Sequence, residues 1–304
     1  MKYTFTRISA MTALILLGVC ACAPKYEETE KIGPYEVSLI DKNVWHVKDV
    51  ESRNPSDMYI VRGNKKAVLI DLSNKMNEET GAEDALRQIF DTRAAGKDKV
   101  VAITHNHPDH VGMLGAFTED KDIQYYLPAP DFMDEGNFKV ENKNYTLGGN
   151  VIDLGGTSLT TVLVPGHTPG STVFFLKDRN IAFCGDAIGS GSGVWIFSME
   201  GFRQYVIGVK GLADYINAPE NGIDKDELTL YGGHMQQLGD LEKLGSQYVF
   251  DMAVLVDRIL VGKADSEANS AFNQYLNTNF KFGTATITWN EEEAQILQSE
   301  LLAQ

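Results

Sequence analysis

Five of the six histidines in this 304-residue chain fall into three short clusters. His105, His107 and His110 share the segment Thr104-His105-Asn106-His107-Pro108-Asp109-His110. His167 sits in Pro165-Gly166-His167-Thr168-Pro169-Gly170-Ser171, and His234 ends Tyr231-Gly232-Gly233-His234. A carboxylate, Asp186, follows Gly185 at the end of another apolar run. Imidazole is a borderline donor suited to zinc, and a carboxylate can complete or bridge a site. The alternation His105-x-His107 lets two imidazoles point the same way from an extended loop. Asp109 and His110 then turn toward a neighbouring position as a helix begins, so one loop can feed two adjacent metals. A lone histidine is ordinarily a satisfied core or surface residue. Five at strand ends, beside two carboxylates and helix-breaking glycines, are read as a metal centre. His46 supplies the contrast: it stands in a plain strand, Val44-Trp45-His46-Val47, and is assigned no role. No serine or cysteine arrangement resembles a nucleophilic triad.

Such ligands need a rigid base with an open mouth, which strand-end loops provide. Strand-like alternation appears at Tyr35, Val37 and Leu39, and again over residues 44–47. Residues 58–61 and 67–72 flank Gly63-Asn64, a hairpin turn. Helical spacing of Leu86, Ile89, Phe90 and Arg93 predicts a helix near 82–94, followed by a buried strand over 100–104. Residues 145–164 alternate around Gly148-Gly149 and Gly155-Gly156, as antiparallel hairpins would. Residues 172–176 and 180–184 form another pair. Helical spacing returns at Phe202, Tyr205, Val206, Val209 and Leu212, and at Val249, Met252, Val256 and Ile259. Late strands are expected over 228–231 and 285–289, and a closing helix over 291–302. No linker rich in Pro, Gly or Ser interrupts residues 34–304, which are read as one catalytic domain.

The first residues do not belong to that core. Lys2 and Arg7 precede an uncharged, mostly apolar stretch that runs to Cys20. A basic start and about a dozen apolar residues make a secretory signal rather than a membrane span, which needs roughly 20. Residues 1–21 are therefore read as a signal peptide of a protein exported across a bacterial inner membrane, and 22–33 as a polar tether. Val19-Cys20-Ala21-Cys22 resembles a bacterial lipobox. Cys22 fits the lipidated position better than Cys20, because Ala21 is small and Val19 is not. That implies a membrane partner through a lipid anchor, on the periplasmic or cell-surface face. The third cysteine, Cys184, lies within an apolar run and is expected in the core, with no disulfide framework. The net charge is −15, and removing residues 1–21 takes away two basic residues and no acids. This argues against nucleic acid as a partner, since a phosphate backbone needs a positive surface.

H-x-H-x-D-H, then P-G-H-T-x-G-S, then G-D, then G-G-H resembles, in order and spacing across roughly residues 55–235, the metallo-β-lactamase superfamily. Asp71, ending Val68-Leu69-Ile70-Asp71, is similar to that family's first motif. The resemblance implies an α+β fold, a four-layer αββα sandwich. It also implies that His105, His107 and His167 hold one metal, that Asp109, His110 and His234 hold another, and that Asp186 bridges both. Asp71 would support the site or the structure around it. The ions would be zinc, two per chain, with iron or manganese also compatible with these ligands. Two divalent ions lower the pKa of a shared water enough to give hydroxide near neutral pH, which attacks a carbonyl. Asp109 would ligate and also orient the nucleophile.

The implied activity is hydrolysis of a small-molecule ester, thioester, lactone or amide. Departures from known branches narrow it. Class B1 β-lactamases carry cysteine where Asp186 stands and lysine three residues later, where this chain has Gly189. Acyl-homoserine lactonases often place tyrosine there. The basic residues that bind glutathione in glyoxalase II enzymes have no obvious counterpart. The alternatives are a mononuclear iron enzyme similar to persulfide dioxygenases, a β-lactam hydrolase, and a metal-binding protein without catalysis. The segment after Asp186, with the glycine-rich Gly189-Ser190-Gly191-Ser192-Gly193 and then Trp195, Phe197, Phe202 and Tyr205, is either a flexible apolar lid or, for the last two, a buried helix face.

Overall fold

The computed structural model describes residues 29–133, 138–241, 243–270 and 274–303. The expected signal peptide with Cys20, and residues 22–28 of the expected tether with Cys22, lie outside these. The strands in chain order are β1 (Glu30–Ile32), β2 (Tyr35–Asp41), β3 (Val44–Asp49), β4 (Asp57–Arg62) and β5 (Lys66–Ile70). Helix α1 (Ala82–Arg93) leads to β6 (Asp98–Ala102), the short α2 (Pro108–Val111), β7 (Gln124–Pro128), α3 (Ala129–Phe132) and β8 (Lys143–Thr146). Then come β9 (Val151–Asp153), β10 (Ser158–Leu163), β11 (Thr172–Leu176), β12 (Ile181–Gly185) and β13 (Val194–Trp195). The last part holds α4 (Met199–Asn217), β14 (Thr229–Gly232), α5 (Ser246–Leu260), β15 (Asp265–Ala268), β16 (Thr278–Phe282), β17 (Ala285–Trp289) and α6 (Glu291–Leu302).

The first eight strands form one sheet in sequence order, antiparallel up to β5 and parallel from β5 to β8. A second sheet has the order β14-β12-β11-β10-β9, with β12 and β14 parallel. A third, smaller sheet joins β13, β17, β16 and β15.

Period-two alternation sorts the side chains into layers. In β4 and β5, Met58, Ile60, Ala67 and Leu69 face the helices of the first sheet. Their neighbours Tyr59, Val61, Val68 and Ile70 face the second sheet. Strands β11 and β12 split the same way: Phe174, Leu176, Ile181 and Phe183 meet the first sheet, whereas Val173, Phe175, Ala182 and Cys184 meet α4 and α5. Two sheets face to face with helices outside give the four-layer αββα arrangement. Each fully buried Phe or Leu in these layers contributes roughly 1.5–3 kcal/mol relative to exposure.

Two sequence expectations change, and one feature was not anticipated. The polar segment 22–33 is not tether throughout, because Glu30–Ile32 pairs with β2 as an edge strand. Residues 145–164 are not two hairpins: β8 joins the first sheet parallel to β7, the chain then crosses over, and only β9–β10 form a hairpin. The third sheet has no apolar alternation to announce it in β15, where every residue is exposed.

Candidate metal centre

The ligand-type side chains all leave the ends of buried strands on one rim of the sandwich. The first sheet contributes Asp71 after β5 and the segment from His105 to His110 after β6, two strands that run parallel. The second contributes His167 after β10, Asp186 after β12 and His234 after β14. Backbone bonds clasp the two sheets here. Thr172 N–H donates to Thr104 O at 2.9 Å, Asp57 N–H to Gly233 O at 2.7 Å, and the Tyr59 hydroxyl to Gly232 O at 2.6 Å.

Four of the five histidines have Nδ1 engaged by a fixed acceptor, which leaves Nε2 for the centre. His110 Nδ1 donates to Asp71 Oδ2 at 2.8 Å, His167 Nδ1 to Trp195 O at 2.8 Å, and His234 Nδ1 to Pro55 O at 2.7 Å. The Thr104 hydroxyl donates to Asp71 Oδ2 at 2.8 Å, so its lone pair accepts from His105 Nδ1 at 3.0 Å. These tautomers are assigned from the partners. His107 differs in presenting Nδ1, which lies 3.2 Å from His105 Nε2 and 2.9 Å from His167 Nε2. Nitrogens bound tetrahedrally to zinc at about 2.0–2.1 Å stand roughly 3.3 Å apart. The trio is close to that spacing.

The remaining residues gather beside it. His234 Nε2 lies 3.3 Å from Asp109 Oδ2 and 3.3 Å from Asp186 Oδ2. Asp186 Oδ2 is also 3.5 Å from His167 Nε2, and its Oδ1 is 3.6 Å from His110 Nε2. Asp186 therefore faces both groups. All seven residues named from the sequence come together, and three overlapping sets have donor atoms within 4.8 Å of one another: His105, His107 and His167; His105, His110 and Asp186; and Asp109, His110 and His234. Two donor atoms inside the cluster, His110 Nε2 and Asp186 Oδ1, are buried without a hydrogen-bond partner. Leaving such groups unmet costs about 1–3 kcal/mol each, more when charged. A cation between them removes that cost, so the donor set fits a divalent metal.

The charges support the same fit. Burial holds the His105 imidazolium well below its usual pKa, lowers His107, and brings His167 down to about 4. All three are neutral at pH 7, the form that binds a metal. Burial pulls His110 and His234 the same way, but the carboxylates together outweigh it, Asp186 and Asp71 at His110 and Asp186 and Asp109 at His234, so His110 is raised well above normal and His234 to about 10. Burial would raise the carboxyls of Asp109 and Asp186. The nearby imidazoles of His234 and His110 reverse this and hold both low. Without a metal, protons on His110 and His234 occupy the place of a cation.

Several supporting residues carried no signal at the sequence level. Buried Asp131 accepts from Asn106 N–H at 3.0 Å, Thr168 Oγ1 at 2.7 Å and Gly170 N–H at 2.6 Å, which pins the first histidine loop to the second. His46, assigned no role, bonds Asp57 Oδ1 at 2.6 Å and stacks on Tyr59. Asp57 Oδ2 in turn accepts from Met235 N–H, just past His234. Gly233 has a positional reason: an added Cβ would lie 2.5 Å from Asp186 Oδ1 and 2.6 Å from His110 Cε1.

A cavity of about 260 Å³ opens over His107, Asp109, His167, Asp186 and His234, walled by Trp195 and Phe197 among others. Phe197 rests against the rings of His107 and His167. Phe202 and Tyr205 are fully buried on α4 and do not reach the cavity. The glycine-rich stretch before Trp195 is a packed turn rather than a free lid: Ser190 is buried and accepts from His234 N–H at 2.9 Å.

A family model described as "Metallo-beta-lactamase superfamily" matches residues 52–234. An acyl-coenzyme A thioesterase of Homo sapiens is 27% identical over 232 residues, spanning 66% of this chain and 80% of that protein. A hydroxyacylglutathione hydrolase of Francisella tularensis is 26% identical over 184 residues, 59% of each chain. Among solved structures, a metallo-beta-lactamase from Pontibacter korlensis superposes with a TM-score of 0.56 at 18% identity, covering 73% of this chain and 99% of that one.

Proposed function

Because the chain belongs to the metallo-beta-lactamase superfamily, we propose that it is a metal-dependent hydrolase of small acyl thioesters and related esters, with residues 34–304 as its catalytic unit. The observation that carries this reading is the convergence of five imidazoles and two carboxylates, with His110 Nε2 and Asp186 Oδ1 buried and unpartnered. Thioesters are preferred among carbonyl substrates because a relative matched over 80% of its own length is named a thioesterase. His105, His107 and His167 would hold one ion, Asp109, His110 and His234 a second, and Asp186 both. Two zinc ions would supply Lewis acidity and lower the pKa of water toward neutrality.

The chain's own groups do the rest. Asp109 Oδ2 faces the cavity mouth, where it accepts a hydrogen bond from the attacking water and takes its proton. The water oxygen bonds to the acyl carbon, the carbon–sulfur bond breaks, and the departing thiolate recovers the proton. Trp195 and Phe197 exclude bulk water from the acyl group, and Asp131 and Asp71 keep the loops from shifting. Retention of Asp109, His110 and His234 as a full second set favours this over a single-iron oxidation.

Purified protein should contain close to two metal ions per chain and hydrolyse a thioester with no oxygen uptake. A chelator should abolish turnover and zinc restore it. Oxygen consumption on a persulfide with iron-dependent activity, and no hydrolysis of esters, thioesters, lactones or β-lactams, would replace the assignment. We further propose export and lipid attachment at Cys22, which detergent partitioning of full-length protein against Cys22→Ala tests.

A further inference from the structure

A second groove of about 440 Å³ adjoins the metal cavity, and the two share Asn54. Asn54 reaches back to the centre, its amide nitrogen 3.5 Å from Asp109 Oδ2. The groove runs between residues 51–54, which follow β3, and residues 74–77 and 80, which follow β5. It is built around one buried carboxylate. Asp49 Oδ1 accepts from the backbone N–H groups of Glu51 and Ser52, both at 3.0 Å, and Oδ2 accepts from Ser73 Oγ at 3.2 Å and Asn74 Nδ2 at 3.3 Å. Asn74 Nδ2 also donates to Asn54 O at 2.9 Å. Ser73 holds a left-handed φ of 51°, a conformation that persists when its surroundings enforce it. The two walls are thus tied to each other rather than loose.

What these walls display is positive. Arg53 and Lys75 line the groove, both exposed, and among the described residues neither has an ion-pair partner. The lining carboxylate, Glu51, is engaged by Lys31 at 3.7 Å. Glu78 and Glu79 follow on the next turn but do not line the groove. The rest of the lining is amide, hydroxyl and thioether: Asn54, Asn74, Asn77, Ser52, Thr80 and Met76. On a chain of net charge −15, two exposed cations without ion-pair partners among the described residues, in a built groove beside the reaction cavity, are placed to hold an anion. Phe197 rests against His107 and His167, whereas Asn54 reaches Asp109, so the apolar wall and the groove approach the centre at different residues.

We propose that this groove binds the anionic, hydrogen-bonding portion of the substrate's leaving group, held by Arg53 and Lys75 while the acyl group lies against Trp195 and Phe197. The recognised chemistry is a phosphate or carboxylate carried some distance from the scissile carbonyl. The kinetic part of the claim rests on the hydrolase reading above; the binding part does not.

The test compares three thioesters of one acyl group: with coenzyme A, which carries phosphates; with glutathione, which carries carboxylates; and with neutral N-acetylcysteamine. The native enzyme should show the highest kcat/KM on one of the charged pair, and which one identifies the anion. In Arg53→Gln/Lys75→Gln, the ratio of charged to neutral kcat/KM should fall about tenfold, the scale of two exposed charge pairs. Arg53→Lys/Lys75→Arg should retain it. An unchanged ratio in the double glutamine variant overturns the proposal, as does a native preference for the neutral thioester. Calorimetry with S-methyl coenzyme A and S-methylglutathione gives an answer independent of turnover. One should bind the native protein about tenfold more tightly than the double variant. Equal binding refutes the groove even if hydrolysis holds, and absent hydrolysis with intact binding refutes only the hydrolase.

Discussion

Replacing Asp71 by Asn tests whether one carboxylate sets the tautomers on both sides of the centre. Asp71 accepts three hydrogen bonds: from Thr104 N–H at 2.7 Å on Oδ1, and from Thr104 Oγ1 and His110 Nδ1 at 2.8 Å on Oδ2. An amide has one acceptor oxygen, so either of its orientations turns an N–H toward a donor. If the amide nitrogen takes the Oδ2 position, His110 must accept at Nδ1 and carry its proton on Nε2, which faces the centre. The Thr104 hydroxyl must then donate to His105 Nδ1 instead of accepting from it. That moves the His105 proton to Nε2 as well. One imidazole in each half of the site would lose its ligating lone pair. Losing a hydrogen bond to a charged acceptor costs about 1.5–3 kcal/mol, and losing such an outer partner typically lowers metal affinity 10–100-fold. Competition titrations with a chromophoric chelator should therefore show both ions weakened 10–100-fold, and the melting curve a loss of about 2–3 kcal/mol. If Asp71→Asn lowers stability by that amount but leaves both metal affinities within twofold, Asp71 is merely structural and the tautomer argument is wrong.

Other perturbations have separable outcomes. His234→Ala should lower thioester hydrolysis by about 10²-fold through kcat with the circular dichroism unchanged; a loss confined to KM would contradict its assignment. On acidification, the ion held by Asp109, His110 and His234 should leave first. Protons compete there already near neutrality, with His234 at about 10 in the metal-free state, whereas His167 takes a proton only near 4. Metal content followed against pH with cobalt substitution should show two separate losses, and a single joint loss contradicts this. Burial raises the Cys184 thiol far above its usual pKa. After removal of residues 1–22, a disulfide reagent at about pH 8.5 should find no native thiol and one after denaturation. Asp131→Ala should cost about 2–4 kcal/mol in stability and loosen the first metal set, since it leaves Asn106 N–H and Gly170 N–H without their acceptor.

The seven candidate ligands, which the fold brings together, were legible because their chemistry is written in short motifs at strand ends. The αββα layering was implied by the family resemblance, and the two-faced burial of strands such as Met58 to Val61 bears it out. What was not legible depends on contacts between distant segments. Asp131 lies in an unremarked Pro-Ala-Pro-Asp-Phe run, and only the fold brings it to Thr168 and Gly170. His46 looked like a strand residue, and it is one; it bonds Asp57, whose own bond to Met235 crosses 178 positions of sequence. The hairpin expected around Gly148-Gly149 failed because alternation specifies a face, not a partner. Strand β8 satisfied its pattern beside β7 instead.

The distribution of these supports says how the site is prepared. His234 comes from the second sheet, yet its Nδ1 is held by Pro55 O, from the loop entering β4 of the first. The loop of His105 and His107 belongs to the first sheet, yet Thr104 O accepts from Thr172 N–H of the second, and Asp131 bonds both loops. Each sheet therefore orients ligands carried by the other. A metal bound at this seam would join the same two layers that the Tyr59, Asp57 and Thr104 bonds already clasp. The fold holds the imidazoles in place without an ion, and metal binding would replace the protons on His110 and His234 rather than reorganise the chain.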